Sequence, residues 1–225
     1  AVIRKMFNFA VTRSILDASP CAAIPAPSTE NRRERVLEDD EINVFWLELG
    51  QARMHVRIKL SLKLMLVTAQ RKQEVSNSKW REFDMKGGWW TIPSDRSKNG
   101  RPHRVPITPI AKTLLTEIKK SANNSDYLFP SPRTDRPITG QSIDHALRNN
   151  LDHFSISSFT PHDLRRTASS KMTEAGIPSN DVSKVLNHSD NTTIGRHYDL
   201  YSYDKEKQKA LNAWGKKLLN IINEQ

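Results

Sequence analysis

The sequence predicts a mainly α-helical fold with one small antiparallel β-sheet. Three observations carry this. Apolar residues recur at helical spacing through most of the chain, and His55 to Ala69 is apolar nearly all round in its C-terminal half. Two short β-like runs, Trp89–Ile92 and His103–Pro106, are separated by a segment containing Asn99-Gly100, a pair that favours hairpin turns because both residues tolerate positive φ.

The elements follow in chain order. Ile3, Met6, Phe7, Ala10, Val11 and Leu16 give a first amphipathic helix. Ala18 to Asn31 has three prolines and little periodicity, and reads as an extended linker. We therefore expect residues 1–17 to be the tail of a preceding domain, 18–34 a linker and 35–225 the main domain. The chain starts at Ala1 and runs straight into a helix-like segment, so we expect further sequence N-terminal to it.

Acidic Glu38 to Glu41 mark a helix start, followed by Ile42, Phe45, Trp46 and Leu49 on one face. The segment from His55 to Ala69, with Val56, Leu60, Leu64 and Val67 inward, is the central buried helix, and Arg71 lies just past its end. The hairpin comes next, with Lys98 beside its turn. Helices are then expected near Ile110–Ser121, Gln141–Phe154, His162–Ala175, Ser179–Leu186 and Lys205–Ile222.

A length of 225 residues suffices to bury a substantial core. The single cysteine, Cys21, has no intrachain partner, and no His or Cys spacing suits a structural metal. No apolar run approaches the ~20 residues of a membrane span, and no signal-peptide pattern opens the chain. A soluble, cytoplasmic protein is expected, without membrane partners. The net charge of +10 points to a polyanionic partner, because neutralising phosphates releases condensed counterions.

Several residues suit phosphate chemistry. Arg71, in Thr-Ala-Gln-Arg, and Arg165, in Pro-His-Asp-Leu-Arg, carry planar forks that can donate two hydrogen bonds to non-bridging oxygens. Glu74, three residues past Arg71, is placed to orient it. His162 and Arg165 stand at i and i+3 on one helix face opening after Pro161. His188 follows Leu186-Asn187, a helix end suited to the left-handed conformation. Tyrosine attacks phosphorus only with help, its phenol having a pKa of ~10. Tyr198, Tyr201 and Tyr203 are the candidates. Taken singly, each of these residues reads as a surface charge, a helix cap or a packing residue.

In this order the motifs resemble the catalytic domain of tyrosine recombinases, the phage integrase family, over roughly Asn31 to Trp214. Leu-Asn-His-Ser-Asp and Tyr-Asp-Leu-Tyr-Ser-Tyr-Asp-Lys-Glu-Lys look most like P4-type prophage and genomic-island integrases. Asn187 departs from the family's usual Leu-Gly-His, and Tyr198 stands one residue further from His188 than in many members.

The resemblance implies the tyrosine recombinase catalytic-domain fold, with residues 1–17 ending a core-DNA-binding domain. It selects Tyr198, within Arg196-His197-Tyr198-Asp199, as nucleophile over Tyr201, and Lys98 over Lys86 as the lysine of a mobile loop between the two strands, which Arg101 to Pro106 would help seat on DNA. It further implies strand exchange at double-stranded attachment sites through a 3′-phosphotyrosyl bond, by a homo-tetramer on paired sites. No cofactor, metal or ATP is implied, while DNA-bending and excision accessory proteins are, in the bacterial nucleoid. Whether the C-terminal helix docks on its own domain or on a neighbour is left open. Three other readings are a non-catalytic helix-turn-helix DNA-binding protein built on residues 164–187, a type IB topoisomerase-like enzyme, and an RNA-binding module. The last lacks exposed aromatic clusters for base stacking.

Overall fold

In the computed structural model, residues 2–25, 34–122, 124–188 and 201–223 are described. The chain divides into two compact units, 1–34 and 35–225. In the first, helix α1 (Val2–Thr12) has no buried residue and exposes Val2, Ile3, Met6 and Phe9. The helix ends at Thr12, short of the expected Leu16, and turns follow, one of them within 18–25, where an extended linker was expected. Ile15 N–H bonds to Ala10 O at 2.9 Å and Ala22 N–H to Ser19 O at 3.0 Å, while the Arg4 guanidinium reaches Ile24 O.

The second unit is built around α3 (Val56–Thr68). Its side chains from Leu60 to Thr68 are buried apart from Lys63, so it is enclosed on almost every side. It packs against α7 (Pro161–Glu174) and α5 (Pro109–Ser121), with α6 (Gly140–Arg148) also touching it. Helix α2 (Asp39–Glu48) begins where Glu38 N–H donates to Glu41 Oε2 at 2.9 Å, satisfying one of the orphan donors of a helix start. Buried Lys171 of α7 is held by Asp39 at 2.8 Å, Glu174 at 3.1 Å and Glu38 at 3.2 Å, tying α7 to the start of α2.

Three short strands form an antiparallel sheet in the order β1 (Phe83–Asp84), β2 (Trp89–Ile92), β3 (His103–Pro106). The register pairs Phe83 with Trp90, and Trp90 with Val105. Strand β1 has only two residues, too few for an alternating pattern to announce it. The β2–β3 connection spans residues 93–102, longer than a two-residue Asn-Gly turn. Gly100 takes φ +66° and Asn99 stays at negative φ, so the pair closes the outer bend of a wider loop.

The predicted helix from Gln141 to Phe154 is instead α6 followed by a 3-10 turn, Leu151–His153. The Asn150 carboxamide donates to Ala146 O at 2.9 Å and ends the helix, and the redirected chain places Phe154 and Phe159 against Phe45 at ring-centroid distances of 6.1 and 5.5 Å. An exposed turn, 132–136, precedes α6, closed by Ser131 N–H on Arg136 O at 2.8 Å.

Helix α8 (Ser179–Val185) follows α7 after a bend at Gly176, φ +81°. The last helix, α9 (Asp204–Asn223), lies on its own domain, against α8, α2, β3 and α7. Trp214 is fully buried there and its indole N–H donates to Leu66 O at 2.9 Å. Among the described residues no helix is long and apolar enough to cross a membrane.

Candidate DNA-cleavage site

The site gathers at the C-terminal end of α8, because a helix end leaves carbonyl oxygens without intrahelical partners. Three successive carbonyls are taken up by side chains from elsewhere. Val185 O accepts from Gln70 Nε2 and from His103 Nε2, each at 3.1 Å. Leu186 O accepts from Arg165 Nη2, and Asn187 O from Arg71 Nη2 at 3.1 Å. Cationic donors are favoured at this negative end of the helix. His188 is the next residue, its own N–H returning to Ser183 O at 3.1 Å.

Local folding puts each group there. Helix α3 ends at Ala69, which adopts the left-handed conformation at φ +56° and turns the chain sharply. Arg71 then stands at the start of the short helix α4 (Lys72–Ser76), and its guanidinium meets buried Glu74 at 3.1 Å while its N–H donates to the same carboxylate at 3.0 Å. Pro161 opens α7, where Asp163 accepts from Thr160 N–H at 2.9 Å and from its hydroxyl at 2.7 Å. Arg165, one turn in, is only 4% exposed and bridges Ala69 O at 2.6 Å to Leu186 O.

His162 is exposed at the mouth of a cavity of about 180 Å³ lined also by Gln70, Lys72, Asp144 and Arg165. Lys72 and Asp144 form an ion pair on its wall. Lys98 lies exposed on the β2–β3 loop, and Asn99 beside it donates to Asn187 O at 2.8 Å.

Electrostatics tie the group together. Burial first, then the Arg71 charge, lowers the Arg165 pKa to about 10, so it stays protonated at neutral pH. Desolvation lowers His188, reinforced by Arg165, Arg71, Lys98 and His162. Desolvation also lowers His162, with Arg166 and Arg165 next. Both imidazoles are therefore neutral at pH 7, each offering one N–H and one free lone pair. Among the described residues the charges meeting here are Arg71, Arg165 and Lys98, with Glu74 as the buried carboxylate, an excess of positive charge that suits a phosphate. No group of His, Cys, Asp and Glu suited to a metal is found among the described residues.

Of the six catalytic candidates, Arg71, Lys98, His162, Arg165 and His188 fall around one helix end, and Tyr198 lies outside the described residues. Tyr201 is exposed, with its hydroxyl 3.5 Å from Glu206; desolvation and that carboxylate raise its pKa, the reverse of what a nucleophile needs. Gln70, His103, Asn99 and Asn187 complete the site without having been singled out as site residues. His103 and Arg104 correct the reading of 101–106 as a DNA-seating basic run. His103 is buried, whereas Arg104 pairs with Asp204 and stacks over Trp89 at 4.2 Å.

Comparison with known proteins agrees with this architecture. Residues 35–204 match the model of the phage integrase family. Prophage integrase IntA of Escherichia coli K12 is 24% identical over 216 residues, covering 94% of this chain and 51% of IntA. The integrase of Enterobacteria phage P4 is 22% identical over 227 residues, covering 94% of this chain and 52% of that protein. The chain thus spans about half the length of these relatives. A lambda integrase tetramer bound to a Holliday junction superposes with a TM-score of 0.66, at 19% identity over 86% of this chain and 56% of that one. With the family model covering residues 35–204 and the same fold recurring in the solved structures, this chain belongs to the phage integrase family, as a tyrosine recombinase catalytic domain.

Proposed function

We propose that the protein cuts and rejoins double-stranded DNA at attachment sites, integrating or excising a mobile element. The observation that carries this reading is the convergence of Arg71, Arg165 and Lys98 with two neutral histidines at the end of α8. Tyr198 attacks a DNA phosphorus in line; the new Tyr–O–P bond forms as the P–O5′ bond breaks, leaving a 3′-phosphotyrosyl end and a free 5′-hydroxyl. Arg71, Arg165 and His188 donate to the non-bridging oxygens, where phosphoryl transfer gains most from positioned charge. Lys98 supplies the proton to the departing 5′-oxygen, and His162, neutral at working pH, accepts the tyrosine proton. One ester is exchanged for another, so the partner strand's 5′-hydroxyl can reverse the step without ATP.

The active assembly in this reading is a homo-tetramer on two paired sites in the bacterial nucleoid, with DNA-bending and excision factors as partners. Residues 1–17, whose α1 exposes an apolar face, belong to the end of a core-DNA-binding domain, and 35–225 to the catalytic domain. The helix pair α7–α8 does not favour a helix-turn-helix reader, since Arg165 of α7 faces inward onto the end of α8.

The test is adduct mapping. Incubated with a library of nicked duplexes and stopped in SDS, the protein should yield a covalent DNA adduct on the peptide containing Tyr198. Tyr198→Phe should abolish the adduct while DNA affinity changes less than about twofold. Cleavage surviving in that variant would remove Tyr198 from the role, and relaxation of plasmids of any sequence would favour the topoisomerase-like alternative.

A further inference from the structure

The loop carrying Lys98 is clasped to α8 by one residue. The Asn187 carboxamide donates from Nδ2 to the buried Ser97 hydroxyl at 2.9 Å. Its backbone O and side-chain Oδ1 both accept from Asn99 Nδ2, at 2.8 and 3.2 Å. Ser97 and Asn99 are the two neighbours of Lys98, so the clasp brackets it on both sides. The same Asn187 carbonyl is held by Arg71 Nη2 at 3.1 Å, and His188 follows directly in the chain.

Asn187 makes these contacts from a left-handed backbone, φ +49°, where glycine would sit with less strain. A glycine there could keep the turn and accept through its carbonyl, but would lose the bonds to Ser97 and from Asn99 to Oδ1. A side chain that takes a left-handed position open to glycine and binds a neighbouring loop from it points to a role for that side chain.

We propose that Asn187 is a positioning residue for Lys98, fastening the ten-residue β2–β3 loop against the phosphate-gripping arginines before DNA arrives. The clasp fixes where the lysine stem leaves the backbone relative to Arg71 and His188, and the flexible stem covers the remaining distance to the leaving oxygen. This rests on the reading of Lys98 as the acid in the cleavage step.

The experiment compares two nicked duplexes bearing the site recovered by adduct mapping. One has the normal 5′-oxygen at the scissile phosphate, and the other a bridging 5′-sulfur. A thiol has a pKa of ~8.5, far below an alcohol, so sulfur leaves without a proton from the enzyme. Single-turnover cleavage by Asn187→Gly should be slowed roughly ten- to hundredfold on oxygen, at or below the lower end of the ~10²–10⁴-fold that a positioned general acid contributes, because the lysine is loosened and not removed. On sulfur it should stay within about twofold of the unmodified chain. Adding Asn187→Gly to Lys98→Ala should slow cleavage no further. Asn99→Ala, which leaves the Asn187 backbone untouched, should repeat the pattern.

Equal slowing on both duplexes, or no slowing on oxygen, by both Asn187→Gly and Asn99→Ala would overturn the proposal. Failure of the underlying reading looks different: Lys98→Ala itself would then be as slow on sulfur as on oxygen.

Discussion

Arg165 joins a structural role to the one proposed for it in cleavage. Its fork joins Ala69 O, at the end of α3, to Leu186 O, at the end of α8. Arg165→Ala leaves both carbonyls without this donor, at roughly 1–3 kcal/mol for each that stays buried and unpaired. Cleavage should also fall by about 10²–10³, typical of losing one positioned donor to a developing oxyanion. Arg165→Lys should rescue neither, since an ammonium cannot reproduce the planar fork. A normal urea midpoint together with a normal cleavage rate in the alanine variant would remove Arg165 from both roles. His103 makes a separate residue-scale prediction. Its ring is held neutral inside the domain, its pKa lowered from 6.5 to about 3, by burial first and then by Lys207. Between those values the unfolded chain binds the extra proton, so stability is complete above about pH 6.5 and is lost as the pH falls towards 3. From pH 7 to pH 5 this one group should remove roughly 2 kcal/mol. The gap between the urea midpoints at the two pH values should narrow in His103→Asn, and an unchanged gap would rule His103 out as a source. In the sequence, His103 was hidden among basic neighbours because burial is a tertiary property. Arg71, Arg165 and His188 were legible because each sits in a short motif whose residue types suit a phosphate.

Among the elements, α3 and α9 decide whether the domain stands. Trp214 of α9 fills the core and spans to Leu66 O of α3. Trp214→Ala should cost about 3–5 kcal/mol in lost burial and cavity, a large part of the 5–15 kcal/mol typical of a domain. Truncation before Asp204 should abolish cooperative melting in calorimetry. A truncated chain that still melted sharply and failed only in assembly would assign α9 to a neighbouring protomer. Periodicity located α3, α5, α7, α8 and α9 to within a residue or two, since long amphipathic or buried segments leave a clear pattern. It missed β1 and α4, at two and five residues too short to show one. It also overran α6, where the side chain of Asn150, with no apolar signature, ends the helix.

For the molecule as a whole, the +10 charge sets the response to salt. If about six phosphates are contacted, affinity for duplex DNA should fall roughly 10³-fold between 50 and 200 mM salt. Fluorescence anisotropy across that range would measure it, and a flat response would contradict a phosphate-gripping surface. Composition alone pointed to a polyanionic partner, whereas the meeting of loop, helix end and arginines depended on contacts between segments far apart in sequence. That dispersal has a practical side. The exposed 132–136 turn falls between Lys98 and His162, so a chain divided there carries Arg71 and Lys98 on one piece and His162, Arg165 and His188 on the other. Neither piece owns the whole grip on α8. The site is in effect an AND gate written across two halves of one polypeptide, and a split version joined by an inducible tether should show the proposed cleavage only when the tether is engaged.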